Sequence, residues 1–504
     1  MTLKATLTAH RDFVIAPVDR RLFGTFVEHL GRCVYGGIYE PGHATADADG
    51  FRQDVLTLTK ELGVTIVRYP GGNFLSGYNW EDGVGPKDQR PVRLDLAWAS
   101  TETNQFGTNE FITWCRKTNV EPMFAVNLGT RGPDEARHFL EYCNHPGGTY
   151  YSELRKSHGY EQPHNIKFWC LGNEMDGPWQ ICAKTAHEYG RIAQEAAKVM
   201  RWVDDGLTLA ACGSSQRAMP TYAAWEYEVL DTCFDQVDLI SLHAYFRNDA
   251  DDLPEFFAEI DNIDHYIKEI TAVADAVAAK RRSKKRIMLS FDEWNVWYRT
   301  HHPECIKKPG WPEAPDLLEE IYNFEDALVV GGVLIVMLNN ADRVKVACLA
   351  QLVNVIGAIF TETGGPAWRQ TIFHPFADAS RAGHGEVLRL GVNTSTFHTK
   401  MHGDVPHLLA TAIRNPETGA VTLLALNRGE EAMDLSFDLG GLGAAYRVEQ
   451  ATELHHPDRK AANTRENPDA VTPAAHESAR LDGAVFGARL KPLSWNVFTL
   501  GVVA

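Results

Sequence analysis

The sequence has no Cys-x-x-Cys pair, so the usual spacing of a zinc or dithiol redox site is missing. Its nine cysteines are scattered singly from Cys33 to Cys348. An odd, unpaired set of this kind reads as free thiols in a reducing compartment rather than a disulfide framework. Long apolar runs are also missing. The most apolar stretch, Val329–Leu338 ("VVGGVLIVML"), is about half of the ~20 residues needed to span a bilayer. The N-terminus "MTLKATLTAHRDFVIAP" alternates apolar and polar residues and lacks the apolar segment of a signal peptide. A cytoplasmic protein without membrane association is expected. Basic residues are too few for nucleic-acid binding: 49 Lys and Arg against 66 Asp and Glu give a formal net charge of −17, and phosphate binding needs a basic surface. No Gly-x-Gly-x-x-Gly or P-loop spacing follows a strand, so a nucleotide site has no support. No internal repeat is visible.

What is present is a 504-residue chain with 44% hydrophobic residues, long enough for one large domain and an accessory one. Eight apolar runs read as strands: one around Phe26, then Val64–Gly72, Val120–Gly129, Asn165–Glu174, Leu207–Ser215, Val237–Phe246, Arg286–Asn295 and Val344–Asn354. Near-continuous apolar strands are typical of parallel sheets buried on both faces. Helical patterns lie between them: Phe51–Leu62, Thr108–Thr118, Ala183–Val203, Phe256–Lys280 and Ala314–Gly332. This alternation predicts a (β/α)8 TIM barrel, with a doubly wound open sheet as the alternative. After about Pro375 the helical patterns give way to short alternating strands, with a hairpin turn at Asn415–Gly419. The expected organisation is a barrel over residues 18–375 and a jelly-roll-like β-sandwich over 376–504, with residues 1–17 adding a strand to the sandwich. Residues 455–480 read as a loop insertion.

Barrel enzymes carry their chemistry at the C-terminal strand ends. Those ends bring together Glu28 and His29, Arg68 and Asn73, Asn127, Asn173 and Glu174, His243 and Tyr245, Asp292 and Glu293, and Gln351 and Asn354. Two carboxylates facing each other across such a mouth are the equipment of glycoside hydrolysis. Glu174 and Glu293 are the best placed pair. Aromatic residues near them, including Trp80, Trp98, Trp169, Trp179, Trp294, Trp297 and Tyr298, suit the apolar faces of sugars. His301-His302 and His455-His456 lack suitably spaced partners for a metal. Cys170 reads as a small core filler, Asp292 as a loop support, and His243 as either a core or a contact residue.

The blocks "FVEHLGRCVYGGIYEP", "VRYPGGNFLSGYNWEDGVGP", "LGNEMDGPWQ", "LISLHAYF", "SFDEWNVWY" and "ADRVKVACLAQLVNVIG" resemble the α-L-arabinofuranosidases of glycoside hydrolase family fifty-one. They span the expected barrel in order. The resemblance implies a retaining exo-enzyme that needs no metal or cofactor and releases arabinofuranosyl groups from arabinoxylan, arabinan and their fragments. Glu174 would be the acid/base and Glu293 the nucleophile. Glu28, Arg68, Asn73, Asn173, Tyr245 and Gln351 would bind the arabinofuranose. A homo-oligomer, often a hexamer, is also implied. The rivals are a β-glycanase or xylosidase on the same barrel, and a carbohydrate-binding protein with a dead site.

Overall fold

The computed structural model describes residues 2–503. Its centre is a closed barrel of eight parallel strands in sequential order. They are β1 (Gly24–Phe26), β2 (Ile66–Tyr69), β3 (Glu121–Val126), β4 (Phe168–Leu171), β5 (Thr208–Ala211), β6 (Leu239–Phe246), β7 (Met288–Val296) and β8 (Val344–Ala350). Each falls in one of the eight runs read as strands, with β7 reaching one residue beyond its run, to Val296. β8 pairs with β1 through Cys348–Gly24 and Ala350–Phe26, which closes the barrel. The open-sheet alternative is thereby excluded.

Several helices follow from local signals. Gly63, with φ of 77°, ends helix Gln53–Leu62 in a left-handed conformation that glycine adopts without steric cost. Thr185 accepts from the Glu188 amide, and the Glu188 side chain returns to the Thr185 amide, a reciprocal cap that starts helix Ala186–Val203. One expected helix is displaced. Instead of Ala314–Gly332, it runs Phe324–Asn339, because Asn323 caps the Asp326 amide while Asp326 returns a bond to the Asn323 amide. Residues 314–322 form no helix. The apolar stretch Val329–Leu338 is the middle of this helix and is buried all round. Among the described residues no helix is long and apolar enough to cross a membrane.

Two large sheets follow the barrel, beside short two-stranded ones. One has five strands and the other seven. The N-terminal segment contributes to both: Leu3–Thr8 pairs with Gly391–Thr394 and Met433–Asp438, and Val14–Pro17 pairs with Glu386–Leu388. The hairpin Leu408–Arg414 to Val421–Asn427 turns through Asn415–Gly419. Its second strand is buried on both faces, and its alternating side chains enter two different cores. Val421, Leu423 and Ala425 enter the core between the sheets, while Leu424 and Leu426 join the barrel core. The strand Ser494–Val502 divides in the same way, with Trp495 and Val497 towards the barrel and Phe498 and Leu500 inward. Helix Phe373–Ala382 runs across the boundary expected at residue 375. Its Asp378 accepts from Trp495 Nε1 at 3.0 Å, and its Ser380 donates to the Gly63 carbonyl at 2.6 Å. The texture change at Pro375 is thus the start of a seam, filled by one short helix.

Trp495 is the keystone of that seam. A Cβ added at Gly331 of the buried helix would lie 2.7 Å from the Trp495 ring, so the helix approaches as closely as glycine permits. Trp495→Ala should therefore cost about 3–5 kcal/mol. The check is the denaturant midpoint, which should fall without loss of cooperativity.

Candidate active site

Strand β4 stops at Leu171, three residues short of Glu174. Gly172 turns the chain at φ 92°, and Glu174 sits at φ 43°, uncommon for a residue with a Cβ. Strain of this kind concentrates where a side chain must be aimed. Here the turn projects Glu174 over the barrel mouth, with Gly177 N–H closing on the Glu174 carbonyl at 2.8 Å.

Glu293 is aimed by a different device. Ser241 pairs with Ser290 and His243 with Glu293 across β6 and β7, so β7 carries one extra residue in that interval. The β7–β8 ladder shows the same surplus between Phe291 and Trp294. A bulge of this kind breaks the alternation of side chains. Two consecutive acids, Asp292 and Glu293, can therefore reach the same polar cluster.

That cluster is organised by Arg68, which is 1% exposed. It donates to Glu293 Oε2 at 2.8 Å and to Asn173 Oδ1 at 2.6 Å, with its Nε 4.0 Å from Asp292 Oδ2. Its guanidinium lies 4.5 Å from the centre of the Phe26 ring. Tyr245 donates to Glu293 Oε1 at 2.7 Å. His243 joins the two acidic strand ends: Nδ1 is 2.9 Å from Glu174 Oε1 and Nε2 is 3.2 Å from Asp292 Oδ1. Trp179 Nε1 donates to Glu174 Oε2 at 2.6 Å. Oxygens of Glu174 and Glu293 and a nitrogen of His243 all lie within 4.8 Å of one another.

The environments of the two glutamates differ. Burial raises the pKa of Glu174 and the negative Glu293 raises it further, against the lowering by His243 and Trp179. Burial works against the His243 imidazolium, but Glu293, Asp292 and Glu174 outweigh it and lift its pKa to about 10. Burial also disfavours charge on Asp292, yet His243 and Arg68 overcome this and hold its pKa below the ordinary value. With Nδ1 on Glu174 and Nε2 on Asp292, His243 is placed to share protons with both carboxyl groups.

A cleft of roughly 340 Å³ opens on these groups, within the range of small-molecule sites. Glu28, Asn73, Glu174, Tyr245, Glu293 and Gln351 line it. Arg68 and Asn173 stand behind this wall, each 1% exposed. Glu28 is held by the Phe74 amide and Trp98 Nε1 on Oε1, both at 3.0 Å, and by Gln351 Nε2 on Oε2 at 3.1 Å. Burial nevertheless pushes its pKa up to about 8, the Phe74 amide opposing and Glu293 adding to the rise. Trp98, at the end of the long loop after β2, thus closes one side of the cleft.

Other residues at the strand ends do different work. His243 and Asp292 belong to the cluster; their nearness to Glu174 and Glu293 is set by the β7 bulge, which no sequence spacing displays. Asn127 donates to the Tyr78 carbonyl and Thr130, and Asn354 to the Arg32 carbonyl and Thr361, so both brace loops. His29 lies between Glu102 and Tyr69. Several aromatics are core: Trp169 packs on Phe124 and Phe139, Trp80 on Phe139, and Trp294 is fully buried. Trp98, Trp179 and Trp297 line the cleft.

Residues 58–268 match the α-L-arabinofuranosidase 1 domain, and residues 292–494 match the α-L-arabinofuranosidase C-terminal domain. The chain is 53% identical to an intracellular exo-α-(1→5)-L-arabinofuranosidase of Halalkalibacterium halodurans, over 99% of this chain and 100% of that protein. An exo-α-(1→6)-L-arabinofuranosidase of Bifidobacterium longum is 49% identical over 98% and 96%. The solved structure of a family 51 α-L-arabinofuranosidase from Bifidobacterium longum superposes with a TM-score of 0.95 at 44% identity, covering 99% of this chain and 100% of that one.

The cluster predicts opposite shifts in Glu174. Removing the negative charge with Glu293→Gln should lower its protonation midpoint. Removing the cationic partner with His243→Gln should raise it. Carboxyl-stretch infrared titration reads both; shifts in the same direction would contradict this electrostatic assignment.

Proposed function

Because this chain belongs to the α-L-arabinofuranosidases of glycoside hydrolase family 51, we propose that it works by double displacement with retention of configuration. The exo-α-L-arabinofuranosidase activity itself comes with the family. The observation that carries the mechanism is the pair Glu174 and Glu293, with oxygens within 4.8 Å and with unlike partners. Retaining enzymes hold their carboxyl groups about 5–5.5 Å apart, whereas inverting ones leave room for a water.

In the first step a Glu293 oxygen attacks the anomeric carbon. The glycosidic bond breaks, and Glu174 gives its proton to the departing oxygen, so the aglycone leaves as a neutral alcohol. The product is an arabinosyl ester on Glu293. In the second step Glu174, now a carboxylate, takes a proton from water as that water attacks the same carbon, and Glu293 is released. Arg68 and Tyr245 hold both Glu293 oxygens, which fixes the nucleophile's orientation before substrate arrives. The first step needs Glu174 protonated, and burial and Glu293 raise its pKa in that direction. Glu28, Asn73 and Gln351 are assigned to the sugar hydroxyls from their places on the cleft wall. Arg68 and Asn173 support that wall from behind.

The substrates assigned are terminal non-reducing α-L-arabinofuranosyl groups on arabinan, arabinoxylan and their oligosaccharides. The relative named for α-(1→5) bonds is 53% identical and the one named for α-(1→6) bonds is 49%, which favours α-(1→5)-arabinan fragments first. A cytoplasmic location accords with relatives named intracellular. A homohexamer is assigned from the family resemblance.

Azide separates the two roles. Glu293→Gly should lose at least about 1,000-fold in kcat, since the covalent step has no substitute. Azide should restore turnover on an activated aryl arabinofuranoside and give the β-arabinofuranosyl azide. Glu174→Gly should spare substrates with good leaving groups more than poor ones, and azide should give the α-azide. Swapped azide anomers would reverse the assignment.

A further inference from the structure

The cleft extends past the groups assigned to the arabinofuranose. Its lining also includes Trp179, Ser215, Gln216, Arg247 and Trp297. The acid faces the departing oxygen, and the loops after β5 and β6, which come next to β4 in barrel order, are assigned to the leaving-group side. Trp179 is bonded to Glu174 itself and is 46% exposed. Trp297 packs edge-on against Tyr245, with ring centres 5.3 Å apart. The Ser215 amide is held by both oxygens of Asp176 at 3.1 Å, which fixes the start of the loop that carries Gln216.

Arg247 differs from its surroundings. It follows β6 directly, two residues after Tyr245, and is exposed. It is the sole cation among the described residues lining the cleft. Acids outnumber bases by 66 to 49 in the chain. Even so, no hydrogen bond, ion pair or ring contact with a described residue holds the Arg247 guanidinium. The buried charges beneath it balance: Arg68 and the His243 imidazolium oppose Asp292 and Glu293. Glu28 and Glu174 both carry raised pKa values. Arg247 therefore sets one unpaired positive charge on the cleft wall of an otherwise acidic molecule. A guanidinium is a planar fork of donors whose best partner is a carboxylate.

We propose that Arg247 makes this wall an acceptor for an acidic leaving group, with the carboxylate of a hexuronic acid residue pairing with its guanidinium. The enzyme would then trim arabinofuranosyl groups attached to, or next to, uronate units as well as neutral ones. This inference rests on the exo-arabinofuranosidase reading and adds a specificity to it. Arg247 is a specificity residue and has no part in bond cleavage.

The test uses two synthetic arabinofuranosides that differ only in the leaving sugar, one a methyl galactoside and the other the matching methyl galacturonide. At low ionic strength the wild-type enzyme should show a higher kcat/KM for the galacturonide. Arg247→Gln should lower the acidic-to-neutral ratio about five-fold, the scale of an exposed ion pair. Arg247→Lys should fall between, and the difference should lie in KM. Added salt should shrink the wild-type preference, because exposed charges are screened over about 8–10 Å. Turnover of the neutral compound with no acidic preference, or an unchanged ratio in Arg247→Gln, would overturn the proposal alone. Failure of the wild-type enzyme on both compounds would overturn it together with the underlying reading.

Discussion

The barrel mouth depends on a buried cation. Arg68, on β2, reaches two other strand ends at once, touching Glu293 on β7 and Asn173 after β4 and lying beside Asp292 of β7. An isolated charge at 1% exposure would be severely penalised, so Arg68 demands anions, and the anions demand it. His243 supplies the second cation, with Asp292 on one side and Glu174 on the other. Two positive and two negative groups then form a nearly neutral set. Such a set is costly to break on one side, by about 3–5 kcal/mol for a buried pair. That cost favours one arrangement of the reactive groups, which is the preorganisation a displacement reaction needs.

The same network separates two chemically identical side chains. Both glutamates are buried, at 8% and 7% exposed. One receives a guanidinium and a phenol, the other an indole and an imidazole. Arg68 sits directly on Glu293 but not on Glu174, and the negative Glu293 then raises the pKa of Glu174. Unlike environments for paired carboxylates are how one site holds an acid beside a base at a single pH. The surrounding fold serves this asymmetry: a left-handed turn aims Glu174 and a bulge aims Glu293.

Much of this was legible in the sequence. The eight strands were visible because barrel strands are apolar on both faces, and the acids at their ends stood out against that background. Other features were not legible, for physical reasons. Nothing in "SFDEWN" marks a bulge, so Asp292 read as a loop support and His243 as an ambiguous histidine. Trp169 read as an aromatic of the site, because sequence distance cannot tell a strand interior from its tip. The helix expected at Ala314–Gly332 began ten residues late, since the apolar pattern of Ala314–Tyr322 is spent on loop packing, as at Leu317 and Tyr322. The seam between barrel and sheets was hidden too. A strand such as Val421–Asn427, buried on both faces, looks in sequence like any other apolar run.

The central claim is that Glu293 becomes covalently bound to the sugar while Glu174 serves both steps. The stereochemistry of the first-formed product tests it most directly. Proton NMR during the first minutes of turnover on an aryl α-L-arabinofuranoside should show α-arabinofuranose appearing first, with the β-anomer following only by mutarotation. Initial β-arabinofuranose would mean a single inverting displacement, and the nucleophilic role of Glu293 would be wrong.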